Sequence, residues 1–353
     1  MGSGERRTQR TVTLADVARA ANVSPATASF VLSGRGGGGS SGSPQTKEKV
    51  RRAAEELGYV PNRAAQAMRT RRGGGIVLAL GTIGDPWGIH LTRQVRAAAL
   101  PHDLSTLILA DERWYEYLLS GVFPDCAFLT GIDGVDGAPE RVARLAQNLG
   151  GGIIAFSTSL EPAGFDVVAS SELGAIAQAY RMLRDRHEVV HFLSPHPVDF
   201  SRPLRARSRP AAFLAAAREA GDGPPEKLLR TSEPGGRATY RTAVQWLQAP
   251  DAPTALIVQT GYQAVAVQVA VKKLGLRMPE DLELVSIGDV PEHSQFFEPI
   301  SYFGVVDVFD RLATIIVDRA RDRSDREGRL HTFTWEFIPG ATTREGGPET
   351  SER

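Results

Sequence analysis

The chain has 353 residues, an apolar fraction of 42% and one cysteine, enough to bury real cores and more than one small domain needs. Lys+Arg and Asp+Glu both number 41, yet the charge is segregated: thirteen basic against five acidic residues up to Arg72 leave this head at +8, and the rest, with 28 against 36, at −8, the pattern of a basic DNA-binding head on an acidic body. Cys126 alone excludes an internal disulfide framework and a cysteine zinc cage, and the sequence shows neither an export-signal core nor an apolar run able to span a bilayer, so a cytoplasmic, nucleoid-associated protein with no membrane partner is expected.

Thr13 precedes Leu14, Val17, Ala18 and Ala21, an apolar stripe at helical spacing, with Asp16 placed as in a capping box. Asn22 follows where the chain must turn, asparagine being the best non-glycine residue for a left-handed conformation, and Val23 is placed to plug a core. Ser24 as N-cap and Pro25 at the first helical position open a second helix with Ala28, Val31 and Leu32 on its buried face. Gly34 to Ser43 is an almost pure Gly/Ser run, expected to be a spacer. Glu48, Val50, Ala53, Ala54 and Leu57 predict a third helix stopped at Gly58, with Tyr59 and Val60 closing the small core. Two short helices about a tight turn are either a plain helical corner or a helix-turn-helix that lays the start of its second helix in the major groove.

The stretches VTLADVARAANVSPATASFVL (Val12 to Leu32) and TKEKVRRAAEELGYVPNRAAQAM (Thr46 to Met68) resemble the head and hinge of the LacI/GalR repressor family at almost every position. The resemblance implies that Thr13, Leu14 and Ala15 lie near DNA, that Pro25, Ala26 and Ser29 face base edges, and that Ser24 and Thr27 touch phosphates. Phe30 stands where many relatives carry arginine or histidine; an aromatic ring meets a thymine methyl but cannot make the bidentate guanine contact.

Pro61 to Met68 has helix-forming composition but is too short to be stable alone. The resemblance implies that it folds only when two copies pack in the minor groove, with Asn62, Arg63 and Ala65 on the DNA and Met68 as the inserted wedge. A plain linker is the alternative, and Gly73 to Gly75 reads as one.

From Ile76, short apolar runs at Ile76, Thr106, Gly151, Val189, Ala255 and Leu284 alternate with helical periods at Ala175 to Leu183, Ala211 to Ala220, Ala238 to Leu247 and Ala264 to Leu274. Each run is a candidate buried parallel strand, and the alternation predicts βαβ units in two doubly wound lobes. The body more faintly resembles the family's periplasmic-binding-protein-like sensor, so the expected fold class is α/β with an all-α helix-turn-helix head. The expected division is head 11–60, hinge and linker 61–75, two-lobed effector-binding and dimerisation domain 76–343 and disordered tail 344–353.

Ligands bind beyond the C-terminal ends of parallel strands, which points to Asp85 to Trp87, Ser157 to Ser159, Pro195 to Val198, Thr260 to Tyr262 and Gly288 to Val290. Trp87 and Tyr262 suit stacking or plain packing, and Asp85 suits a polar edge. Arg209, with Phe213 after it, resembles the family's ligand-clamp signature; a surface arginine is the alternative. Where sugar-binding relatives carry Asn-Asp and Asp-Asp, this chain has Thr260–Gly261 and Gly288–Asp289, so the effector is expected not to be a typical sugar, or to be absent.

The expected partners are therefore double-stranded operator DNA, a second copy of the chain and a small effector. Neither a cofactor nor a metal is expected. No phosphate loop, nucleophile elbow or histidine cluster suggests an enzyme. A transport-class binding protein would share the body but needs an export signal and no basic head.

Overall fold

The computed structural model describes residues 12–32, 43–60, 73–81, 86–110, 113–121, 123–200, 204, 208–290, 296–322 and 327–344. The glycine spacer up to residue 42, the hinge with Asn62, Arg63, Ala65 and Met68, Asp85, and the tail from residue 345 lie outside them. The chain divides into two compact units, Met1–Arg71 and Arg72–Arg353.

In the first unit, α1 (Leu14–Ala20), α2 (Pro25–Leu32) and α3 (Pro44–Glu56) pack around Val17, Ala18, Ala28, Val31, Val50 and Ala53. Each element carries the local chemistry that starts or stops it. Thr13 and Asp16 complete the capping box of α1, Asn22 takes φ 53° at the turn, and Ser43 caps α3 with Pro44 at its first position. The small core closes differently from the expectation. Tyr59 packs on it, but Leu57 is the C-cap of α3 and lies exposed, and Val60 is 82% exposed. At Gly58, φ is 62° and the chain leaves the helix, so the next side chains no longer follow its buried stripe.

The second unit opens with β1 (Gly75–Ala79), α4 (Pro86–Ala99), β2 (Ser105–Leu109), α5 (Trp114–Leu119), β3 (Cys126–Leu129), α6 (Ala138–Asn148), β4 (Ile153–Phe156) and β5 (Asp166–Ser170). It continues through α7 (Leu173–Arg184), β6 (His191–Ser194), α8 (Arg209–Glu219), β7 (Leu229–Thr231), α9 (Gly236–Leu247), β8 (Ala255–Val258), α10 (Gly261–Lys273), β9 (Glu283–Ile287) and β10 (Tyr302–Gly304). Last come α11 (Val308–Arg321), β11 (Leu330–Phe333) and β12 (Glu336–Ile338). One sheet runs β11-β5-β4-β3-β1-β2 and is all parallel; the other runs β12-β10-β9-β8-β6-β7, with only β12 antiparallel. Central strands are buried on both faces: Ile76 and Leu78 of β1 enter one core and Val77 and Ala79 another, as continuous apolar runs require.

Two expectations need correcting. The Thr106 run is a parallel strand but forms the sheet edge, with Leu107 and Ile108 exposed. Gly75 is no linker residue: it opens β1, its N–H donates to Asp125 Oδ2 at 3.2 Å, and a side chain at Gly73 would run into Phe123.

The chain crosses between the lobes three times, after β5, after β10 and after β11. The third crossing carries Trp335, which packs against a core of each lobe and whose Nε1 donates to Ser170 Oγ on the first crossing at 2.8 Å.

Candidate functional site

In the head, α2 is two-sided. Ala28 and Val31 are buried, whereas Ser24, Pro25 and Ala26 at its start are exposed and Thr27, Ser29 and Phe30 are partly buried. Ser24 Oγ accepts from the Thr27 N–H at 3.1 Å and lies 2.9 Å from the Thr27 hydroxyl, so the two expected phosphate-touching side chains are held together at the helix start. Thr13 and Ala15 are exposed, while Leu14 partly packs into the core. The basic side chains Lys47, Lys49, Arg51 and Arg52 lie on α3. An exposed, uncharged helix start with a capped N–H suits groove and phosphate contact.

In the second unit, a cavity of about 770 Å³ lies between the lobes, at the size of a small-ligand site. Of the residues expected around a ligand, Trp87, Arg209, Thr260, Tyr262 and Asp289 all line it, and Asp85 lies outside the described residues. Three expectations fail. Ser157, Thr158 and Ser159 turn onto Asp133 instead, Pro195 to Val198 do not reach the cavity, and Val290 is buried in a core. Burial alone would raise the Asp133 carboxyl, but hydrogen bonds from these residues bring it below its usual range. The serines therefore lock a loop of the first lobe.

Arg209 is not a surface arginine. It sits at the first position of α8, where Ser208 Oγ caps the helix by accepting from Ala211 N–H at 3.3 Å. Its Nε donates to Glu172 at 2.8 Å, its Nη1 donates to the carbonyls of Gln259 and Ile287, and its guanidinium lies 5.8 Å from the centre of the Trp335 ring. One side chain thus ties the end of β9, the loop after β8 and two crossings together.

Asp289 faces the opposite constraint. Burial drives its carboxyl up to about 6, although its own backbone, Arg209 and the Val305 N–H pull the other way. Glycine at position 261 has a positive reason: a Cβ there would strike the Asp289 carbonyl. The loop carrying Asp289 occupies the space that a ligand-binding side chain would need, so the missing acid and the close packing are one feature.

Apart from Trp87, the apolar wall was not legible as a site. Trp87 packs 5.7 Å from Phe156 and 6.0 Å from Phe309, ring centre to ring centre, and Val265, Val269, Val305 and Trp335 complete an apolar surface. These residues come from six elements and loops, and an apolar residue in a strand or helix reads only as core. Arg237 and Tyr240 start a helix after β7, a strand of three residues too short to signal its own end. Among the described residues, no group of three or more His, Cys, Asp or Glu could hold a metal, and no helix is long and apolar enough to cross a membrane.

Comparison with known proteins gives two matches that together span most of the described architecture. Residues 13–62 match the bacterial regulatory proteins of the lacI family, and residues 180–343 match a periplasmic binding protein-like domain. The chain thus joins a lacI-family head to a periplasmic binding protein-like domain. The maltose regulon regulatory protein MalI of Escherichia coli K12 is 29% identical over 214 residues, 59% of this chain and 60% of MalI. The repressor CytR of the same organism is 26% identical over 306 residues, 83% of this chain and 84% of CytR. The Lac repressor dimer solved with operator and the anti-inducer ONPF superposes with a TM-score of 0.65 at 19% identity, covering 95% of this chain and 99% of that one. At that identity the likeness shows the fold. MalI and CytR are named as a regulatory protein and a transcriptional repressor.

Proposed function

We propose that this chain is a LacI-family, sequence-specific DNA-binding repressor that works as a homodimer on a palindromic operator, with a small effector in the interlobe cavity setting its affinity. The observation that carries the reading is the start of α2: Pro25 and Ala26 stand exposed on a helix capped by Ser24, within the stretch that matches the family's DNA-binding model. Thr13, Leu14, Ala15, Ser24, Pro25, Ala26, Thr27, Ser29 and Phe30 form the proposed contact surface, and Asn62, Arg63, Ala65 and Met68 the proposed minor-groove segment. One helix-turn-helix reads one half-site, so a two-fold operator matches a dimer. Effector binding then shifts the lobes and with them the equilibrium between DNA-competent and released forms.

The open cavity supports a regulator with a functioning sensor over one whose pocket has been lost, and the basic head supports a place at the DNA over a transport role. The proposed division into head, hinge, two-lobed body and tail follows the boundaries given above. Selection of duplexes from a randomised pool by the full chain, followed by anisotropy titration, tests the reading. A preferred two-fold sequence bound at least about a thousandfold above scrambled duplex is expected, the lower end of specific over non-specific binding, and Ala26→Glu should remove the preference. No preference for any duplex at modest salt would overturn it.

A further inference from the structure

The wall of the interlobe cavity combines two properties that together define a ligand class. The first is that its polar side chains are mostly engaged already. Thr130 Oγ1 donates to the Ala79 carbonyl and accepts from Gly81 N–H, both at 3.1 Å. Ser170 Oγ receives the Trp335 indole, Thr260 donates to Gln263, Glu172 holds Arg209, and Asp289 accepts from Val305 N–H. A polyhydroxylated ligand needs partners for each of its hydroxyls, and burying them without partners costs more than the contact returns. Trp87, Phe156, Phe309, Val269 and Trp335 instead offer apolar and ring surface.

The second property is a lone positive corner. Arg237 and Tyr240 line the cavity one turn apart on α9, and neither side chain makes a hydrogen bond or ion pair with the described residues. The helix has twelve residues, no acid in its first turn and no side-chain cap, since its N-cap is Gly235. Its free N–H groups and dipole add to the Arg237 charge at this point. By contrast, Arg209 is already matched to the Glu172 carboxylate and two carbonyls, so its charge is spent within the protein.

The geometry points to a hydrophobic, ring-bearing monoanion as the effector, its rings against Trp87, Phe156, Phe309 and Trp335 and its anionic group at Arg237 and the Tyr240 hydroxyl. This deepens the sensor role proposed above and rests on it. The ring system loses water against apolar walls, and the anion keeps charge-assisted hydrogen bonds at the cavity's edge, where Arg237 remains in contact with solvent.

The probe is 8-anilinonaphthalene-1-sulfonate, with the uncharged N-phenyl-1-naphthylamine as its partner, titrated by fluorescence into the full chain. One anionic probe per chain is expected. Arg237→Gln should weaken it about three- to tenfold, a range that allows for solvent at the edge, while leaving the neutral probe unchanged; Arg237→Lys should restore most of the loss. Val265→Trp, on the cavity wall, should weaken both probes at least tenfold, with the thermal unfolding midpoint as the check on folding. Where that variant fails to fold, the two Arg237 variants carry the test. Absence of anionic binding, equal losses of both probes in Arg237→Gln, no loss of either, or retention of both in a folded Val265→Trp each overturns the assignment. Operator preference, measured by selection on the same preparation, separates such a failure from failure of the regulator reading.

Discussion

Replacing Gly261 by alanine asks whether the loop after β9 really occupies the space of a missing side chain. The added Cβ would overlap the Asp289 carbonyl oxygen, with the carbonyl carbon at 3.2 Å and the Val290 Cα at 3.5 Å. These are backbone atoms, so no rotamer change relieves the overlap; the start of α10 and the Asp289 loop must part by roughly 1 Å to regain ordinary separations. Overpacking of this kind costs about 1–3 kcal/mol. For a unit of this size, unfolding entropy of roughly 2 cal/mol/K per residue turns that into a midpoint about 2–5 °C lower. Gly174→Ala is the matched control. It lies in the first turn of α7 with nothing within 4 Å of an added Cβ and no left-handed φ, so it should hold or raise the midpoint by about 1–2 °C through lower unfolded-chain entropy. Differential scanning calorimetry of the two variants decides the matter. If Gly261→Ala unfolds at or above the unmodified chain, the loop does not fill that space, and the account of the absent acid is wrong.

Asp289→Asn should stabilise the body at pH 7–8 by about 1–3 kcal/mol, with the gain vanishing near pH 4 in a pH series of melts. With the folded carboxyl raised from 3.8 to about 6, the native state keeps a proton that the unfolded chain has released, so stability falls as pH climbs through that window and stays lower above it. Arg186→Met should cost about 3–5 kcal/mol, read by urea unfolding, because Glu283 is fully buried and its Oε2 lies 2.6 Å from the Arg186 guanidinium. Burial alone would raise the Glu283 carboxyl, but Arg186 and then His187 hold it below its usual range; its stabilisation is present above the unfolded value and is lost as acid protonates it. Ser24→Ala should remove about 1 kcal/mol from the head, measured by circular dichroism melting, and an unchanged head melt would show that the Thr27 contact at 3.1 Å carries no stability.

The local chemistry of the head was legible because each signal acts within a few residues. Thr13 with Asp16, Asn22 at the turn, Ser24 before Pro25 and Gly58 at the stop each dictate backbone geometry where they stand. Seven of the cavity residues were likewise found from the rule that strand ends face ligands, among them Trp87, Thr260 and Asp289. The rule could not separate loops that face the cavity from Ser157 to Ser159, which turn to Asp133, because that choice depends on a partner 24 residues away.

Sequence by itself settled the three helices of the basic head and the alternation of strands and helices in the body, since propensity, capping and apolar periodicity are local properties of the chain. Tertiary structure alone decided what the cavity offers. Whether Arg209 is spent on Glu172 while Arg237 is left unmatched among the described residues, and whether position 261 has room for a side chain, depends on which distant backbone comes to lie against each residue. Such proximity is fixed by three crossings between lobes and by no pattern along the chain.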